Sequence, residues 1–166
     1  MATRAERVAR QLGLDRELPR TLGLRALEEA DRDAVWELRR ESYRPVVDVQ
    51  FGGWVDEDQW PRFIERWSPE RGLWLTRDDA PLGHLVLEDR GEDLWLAEIQ
   101  LLAGEREHGH GGAIVRAIQR CAARVGRPLR LQTLRENTRA LDLYLRLGFV
   151  EEERTENHVH LVWRPR

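Results

Sequence analysis

The chain has 166 residues, 41% of them apolar and seven of them tryptophan, enough to build one sizeable core without a second domain. A formal charge of −3, with 27 basic residues (every one arginine) against 30 acidic ones, excludes nucleic acid as the main partner. No apolar run approaches the ~18 residues of a membrane span and no charged-then-apolar leader is readable, so a cytoplasmic protein with no membrane partner is expected. Cys121, the single cysteine, cannot form an internal disulfide and is expected on the buried stripe of a helix.

Residues 1–20 read as an N-terminal extension. Thr3 to Leu12 has helix-forming composition, and the stretch to Arg20 is charged and proline-terminated, which allows an extra helix or a loosely held arm. Residues 21–166 read as one domain. Leu22 to Leu27 has the pattern of a strand, and Asp31 can cap a helix through Tyr43, with Ala34, Val35 and Leu38 inward and Pro45 as its expected end. A loop from Val46 to Trp54 contains Gly52-Gly53. The next helix, Asp56 to Trp67, has an acidic first turn that suits the helix dipole and a stripe of Trp60, Phe63, Ile64 and Trp67 that suits a core. Leu73 to Thr76, Pro81 to Leu87 and Leu94 to Leu102, divided by turns at Asp78-Asp79 and Arg90-Gly91, predict an antiparallel meander. Beyond a glycine loop come a helix with Ile114, Ile118, Cys121, Ala122 and Val125 on one face, a strand Leu129 to Leu134, a helix to Leu147, and strands Phe149 to Glu153 and His158 to Trp163. This order specifies an α/β (α+β) protein with a mixed sheet.

Two segments carry chemistry. Arg106-Glu107-His108-Gly109-His110-Gly111 lies between a strand and a helix. Glycines there let main-chain amides approach an anion, and the helix points its unsatisfied N–H groups and positive dipole end at the same place. Taken alone, a strand-to-helix turn also uses glycine for purely conformational reasons. The second segment runs from Asn137 to Phe149. Asn137 reads as an N-cap, Ala140, Leu143, Tyr144 and Leu147 form one helical stripe, and Gly148 supplies the left-handed stop.

Together these segments resemble the GNAT superfamily of acetyl-coenzyme A-dependent N-acetyltransferases. Its signature is Gln/Arg-x-x-Gly-x-Gly/Ala followed downstream by Asn-x-x-Ala-x-x-x-Tyr-x-x-x-Gly-Phe. The specific motifs lie between Leu94 and Phe149, and the broader resemblance runs from Thr21 to Trp163. It implies the GNAT fold: a mixed, mostly antiparallel sheet of about seven strands, flanked by about four helices and splayed between strands four and five. It also implies acetyl-CoA as cosubstrate, an amine as acceptor and no metal. A homodimer through edge strands or the final hairpin would be ordinary for the family.

Residue by residue, the resemblance implies that the main chain of Gln100, Leu101 and Leu102 pairs with pantetheine and offers an N–H to the thioester oxygen. The loop of Glu107, His108, Gly109, His110, Gly111 and Gly112 would hold the pyrophosphate, with Arg106 anchoring the loop or meeting phosphate. His108 and His110 depart from the family pattern; they either make coenzyme A affinity sensitive to pH or are simple exposed polarity. Asn137 would cap its helix and bond the pantetheine arm. Tyr144 occupies the position of the thiolate-protonating tyrosine, its other reading being a core aromatic. Glu98 is the candidate general base, expected on the same strand face as Gln100 and Leu96, its other reading being a carboxylate paired with an arginine.

His158 and His160 place two imidazoles on one strand face, a spacing zinc could use, without a third ligand nearby; packing or an acceptor pocket is the preferred reading, with His84 a separate case. The acceptor site would be bordered by Tyr43 to Trp54 and Val150 to His160. Glu151, Glu152, Glu153 and Glu156 would attract a cationic amine there or form a solvated charge run. The expected activity is direct acetyl transfer in a ternary complex to a small primary amine. The alternatives are a protein N-acetyltransferase and a non-catalytic acyl-CoA-binding sensor. A nucleotide-binding α/β protein fits poorly, because there is no lysine for a phosphate loop.

Overall fold

The computed structural model describes every residue from Met1 to Arg166. Seven strands form one sheet: β1 (Leu22–Ala26), β2 (Leu73–Arg77), β3 (Ala80–Asp89), β4 (Leu94–Leu101), β5 (Leu129–Leu134), β6 (Val150–Arg154) and β7 (His158–Trp163), in the order β1-β2-β3-β4-β5-β7-β6. Every neighbouring pair is antiparallel except β4 and β5. A parallel pair needs a crossover, and α5 (His110–Arg124) supplies it.

The two faces of the sheet are unlike. One buries a large aliphatic cluster in which Leu75, Leu85, Leu87, Leu96, Leu129 and Leu131 meet Ile114, Val115, Ile118 and Cys121 of α5, with Tyr144 and Leu147 of α6 and its C-cap (α6, Thr138–Arg146) alongside. The N-terminal helices α1 (Arg4–Leu12) and α2 (Leu14–Glu17) enter the same cluster through Ala5, Ala9, Leu12 and Leu14. A capping box between Thr3 and Glu6 starts α1. Arg120 and Arg124 of α5 grip Glu17, and Arg124 also donates to the Leu12 carbonyl at 2.6 Å. The other face holds a small, aromatic cluster of Leu27, Val35, Trp36, Leu38, Phe63 and Trp74 beneath α3 (Arg32–Phe51) and α4 (Asp56–Arg66). The four helices expected after residue 21 are α3 to α6.

Helix α3 corrects the expectation that Pro45 would end it near Tyr43. Proline removes one i→i−4 bond, here to the Glu41 carbonyl, and both residues are exposed, so that carbonyl is open to solvent. Tertiary contacts carry the helix onward: Val47 is buried, and Gln50 donates to the Asn157 carbonyl and accepts from the Glu136 N–H at 2.9 and 3.1 Å. Gly52, at φ 81°, then closes it.

A second correction concerns β4. Val86 pairs with Glu98 but Leu87 pairs with Leu96, so Ala97 is an extra residue, a β-bulge. Leu96 therefore joins the aliphatic core, while Glu98 and Gln100 turn to the α3 face beside His84 and Trp74. Simple alternation had put Leu96 and Glu98 together.

His84 is only 6% exposed. Burial pushes its pKa below the ordinary value; the charge of Glu98 and the Gln100 side chain oppose this, and Arg39 reinforces it. The unfolded chain takes up a proton on this ring near pH 6.5, whereas the folded chain resists doing so. Stability is thus intact above that pH and is lost as pH falls through the window below it. Urea unfolding at stepped pH should show this decline, and His84→Asn should reduce its slope; equal slopes in the two proteins would assign the decline to other groups.

Candidate functional site

Strands β4 and β5 pair only where Leu94, Trp95 and Leu96 face Leu129, Arg130 and Leu131. Past Leu96 they part, and a cleft of about 1190 Å³ opens between them and beneath α3. On the far side of β4, the Leu102 N–H donates to the Leu82 carbonyl at 2.9 Å. Hydrogen-bonding direction alternates along a strand, so the main chains of Ile99 and Leu101 point into the cleft. The Leu101 carbonyl accepts from Arg106 Nε at 2.9 Å, and Arg106 Nη2 donates to Ser42 Oγ at 3.0 Å. Arg106 thereby ties β4 to α3.

Helix α5 begins in the same cleft. Its N-cap is Gly109, at φ 80°, which offers no capping side chain. The first helical bond runs from the Ala113 N–H to the Gly109 carbonyl, so the N–H groups of His110, Gly111 and Gly112 have no intrahelical acceptor. These three residues line the cleft. Free donors and the dipole's positive end together suit an anion. His110 lies 3.9 Å from Glu105, whose carboxyl is held below its usual range chiefly by the bond from Arg77, with both loop histidines adding to the effect. Glu107, at φ 66°, reaches out to Arg139 at 3.4 Å.

Glu98 projects from the bulged stretch of β4. Its Oε1 accepts from Arg39 Nη1 at 2.7 Å, and its Oε2 accepts from the Tyr43 hydroxyl at 3.0 Å and from Gln100 Nε2 at 2.8 Å. A carboxylate has about four acceptor positions, so one remains, on Oε1. The Arg39 guanidinium lies 4.8 Å from the Tyr43 ring centre. Burial first, and the Glu98 charge second, push the Tyr43 phenol upward.

Tyr144, from α6, lines the same cleft as Glu98. Its ring packs on Phe149 at 5.6 Å and is buried, and its pKa is pushed up to about 12 by burial and by the charge of Glu98. The phenol therefore stays protonated at neutral pH. Asn137 caps α6 through an oxygen that accepts from the Ala140 N–H at 3.3 Å, and it also lines the cleft. Thus Glu98, Gln100, Leu101, Arg106, Glu107, Gly109, His110, Gly111, Gly112, Asn137 and Tyr144 converge on one space. Leu102 and His108 do not, and Gln100 enters only through its side chain, because its main chain points to β3 as that of Leu102 does. The Leu102 N–H is occupied by β3 and its side chain packs against the aromatic cluster, while His108 is exposed with its ring 6.1 Å from that of His110.

The far half of the cleft is walled by Phe51, Trp54, Asp58, Gln59, Arg62 and Arg66 on the α3–α4 side and by Asn157 and His158 on the hairpin side. Gln59, Arg62 and Arg66 make one helical stripe. Neither arginine forms an ion pair, in contrast to Arg39 and Arg40 on α3. Arg39, Gln50, Arg62 and Arg66 were not singled out from sequence. The only signal was spacing, with Arg39 four residues before Tyr43 and Arg62 four before Arg66, and nothing local says what such a face meets.

The glutamates of the final hairpin lie elsewhere. Glu151 pairs with Arg154, Glu152 with Arg130 and Arg164, and all of β6 is exposed, outside the cleft lining. They form a solvated charge run on an edge strand. His158 and His160 have ring centres 6.4 Å apart, and no third His, Cys, Asp or Glu joins them.

Residues 32–149 match the model of the acetyltransferase (GNAT) family. No curated protein matches the sequence. Among solved structures, the PaiA N-acetyltransferase of Thermoplasma acidophilum in complex with coenzyme A superposes with a TM-score of 0.69 at 18% identity, over 86% of this chain and 98% of that one. The ribosomal-protein-S18-alanine N-acetyltransferase of Escherichia coli gives 0.61 at 17% identity, over 86% and 93%. Arabidopsis thaliana Naa50 in complex with a bisubstrate analogue, CoA-Ac-MVNAL, gives 0.56 at 13%, over 86% and 98%.

A Cβ at Gly111 would meet Leu101 and Leu143 at 3.7 and 4.0 Å, ordinary contacts, so substitution there is tolerated by the fold. Gly111→Asp sets a carboxylate against the free amides and should weaken acetyl-CoA binding more than about tenfold, with Gly111→Ala weakening it less. Calorimetric titration of both variants checks this; undiminished affinity in Gly111→Asp would move the anion site elsewhere.

Proposed function

The chain belongs to the acetyltransferase (GNAT) family, whose members transfer acetyl groups from acetyl-coenzyme A, and from that premise we propose that its acceptor is a small primary amine bearing an anionic group. Transfer is direct, in a ternary complex. The observation that carries this reading is the convergence in one cleft of the Leu101 main chain, the uncapped start of α5, Tyr144 and Glu98.

Each element answers one chemical need. The free amides of His110, Gly111 and Gly112 hold pyrophosphate. The Leu101 N–H, left without a strand partner, polarises the thioester carbonyl. Glu98 keeps one open acceptor position, which takes the amine proton directly or through a water, so that neutral nitrogen attacks. The new C–N bond forms as the C–S bond breaks, Tyr144, still protonated at neutral pH, gives its proton to the departing thiolate, and the proton shed by the acetylated nitrogen restores the phenol through solvent. Asn137 steadies the arm that carries the thioester. Residues 21–166 supply all of these groups, and residues 1–20 act through packing.

Two features favour a small anionic acceptor. Gln50 clasps both the β5–α6 loop and the β6–β7 turn to α3, walling that end of the cleft against an extended chain. Arg62 and Arg66 form no ion pair and outnumber Asp58 on the same wall, which leaves it net positive and suited to a carboxylate or phosphate. Peptide termini are the second reading, because two of the structurally similar proteins are an S18-alanine N-acetyltransferase and one bound to a peptide bisubstrate.

Amines matched with and without a carboxylate or phosphate, and short peptides, form the test panel. The anionic amines should give the highest kcat/KM, and Arg62→Gln with Arg66→Gln should raise KM about tenfold for them alone. Preference for peptides would select the second reading. Tyr144→Phe should lower kcat at least about tenfold while leaving acetyl-CoA affinity unchanged. Unchanged turnover would remove Tyr144 from the chemistry.

A further inference from the structure

A polar seam runs behind Glu98 through the otherwise apolar α3 face. Gln100 is 5% exposed and His84 6% exposed, and they are directly paired across β4 and β3. Gln100 Nε2 donates to Glu98 Oε2 at 2.8 Å, so its Oε1 points away from the carboxylate. That Oε1 is buried without a hydrogen-bond partner, and so is His84 Nδ1. Trp74 Nε1, on the residue across from His84 in β2, is a third such atom, a donor only. Of the three, Gln100 Oε1, an acceptor, and His84 Nδ1, able to donate, sit on a cross-strand pair whose Cβ atoms lie about 5 Å apart. Burying both without partners is costly, and each is of the kind that would satisfy the other.

The remaining freedom is restricted on both sides. Turning the Gln100 amide over would set its carbonyl oxygen against the Glu98 carboxylate, an acceptor against an anion. The His84 ring cannot swing away freely, because the backbone at Gly72 passes so near that a Cβ there would lie 2.7 Å from Nε2. Charged groups facing this seam are Glu98 from β4 and Arg39 from α3, with the Tyr43 phenol beside them.

We propose that His84 is a positioning residue for Glu98: it holds its proton on Nδ1, donates it to Gln100 Oε1, and so fixes the amide whose Nε2–H orients the Glu98 carboxylate. His84 touches no reacting atom; its effect passes through Gln100. The inference rests on the reading of Glu98 given above.

Two measurements test it. Nitrogen NMR of histidine-labelled wild-type protein near pH 8, above the reference histidine pKa, reports the tautomer without any activity assay. The Nδ1–H form is expected, and the Nε2–H form would overturn the inference. In kinetics, His84→Leu and Gln100→Leu should each lower kcat about tenfold at unchanged KM for acetyl-CoA and displace the acid limb of the pH–rate profile. His84→Asn, which can present an amide N–H at nearly the same place, should restore kcat to within about threefold of wild type. Full turnover in Gln100→Leu, or equal losses in His84→Leu and His84→Asn, would overturn it. Should Glu98→Gln itself turn over normally, the reading of Glu98 fails, while the tautomer result still stands or falls by itself.

Discussion

Strands β4 and β5 share three residue pairs, ending with Leu96 opposite Leu131, and then part. Main-chain groups that would have closed the sheet are left facing a cavity. Such groups are costly when dry, about 1–3 kcal/mol each, so the gap must hold water or a ligand able to take water's place. A chain-like ligand with its own amides can do so as an added strand, which is why a pantetheine arm suits this opening better than a compact molecule would. The bulge at Ala97 belongs to the same event. It turns Glu98 and Gln100 away from the aliphatic core just where β4 leaves its neighbour, so the parting that admits a ligand also presents a carboxylate to it.

The two halves of the cleft use different electrostatics. At the start of α5 the attraction for anions comes from main-chain amides and a helix dipole, which keep their orientation without ordering any side chain. Around Glu98 the local field is set instead by paired side chains, and what it offers is an acceptor. Arg39 and Glu98 are each about a quarter exposed, and their bond is supplemented by Tyr43 and Gln100. A half-buried ion pair of this kind adds little net stability, because desolvation offsets much of the attraction. Its contribution is geometric: three donors hold the carboxylate in one pose and leave a single acceptor position open. The two readings of Glu98 open at the level of sequence, a base and a carboxylate paired with arginine, are therefore compatible.

Sequence carried most of the architecture because the relevant signals are local. The alternation in β2 to β4, the stripe of α5 and the N-cap and left-handed stop around α6 each depend on residues within a turn or two. The glycine loop and Asn137 were legible for the same reason. What was hidden depended on distant partners. Pro45 is a breaker by local rule, and α3 passes through it because Val47 and Gln50 find contacts far along the chain. The Ala97 bulge is invisible in β4 itself, since only the register of β3 reveals the extra residue. Whether the hairpin glutamates met a cationic substrate or formed a solvated run stayed open in sequence, because Arg130 and Arg164, the partners of Glu152, are brought to it by the fold.

The contrast between the sheet faces explains how the polar seam is tolerated. Nearly all the large aliphatic side chains, and the crossover helix with its N-terminal neighbours, are assigned to one side. That side can carry the net stability of the molecule, since each fully buried leucine or isoleucine contributes about 1.5–3 kcal/mol. The other side is packed by a few large aromatics, with Trp36 lying 5.1 Å from Trp60 and 5.3 Å from Phe63, which cover much area with few residues. Space beneath α3 is thereby left for His84, Gln100, Glu98, Arg39 and Tyr43 side by side. In a core distributed evenly over both faces, five polar residues in a row would weaken the packing that holds the molecule together. Here they replace packing the other face already provides, and a directed carboxylate results.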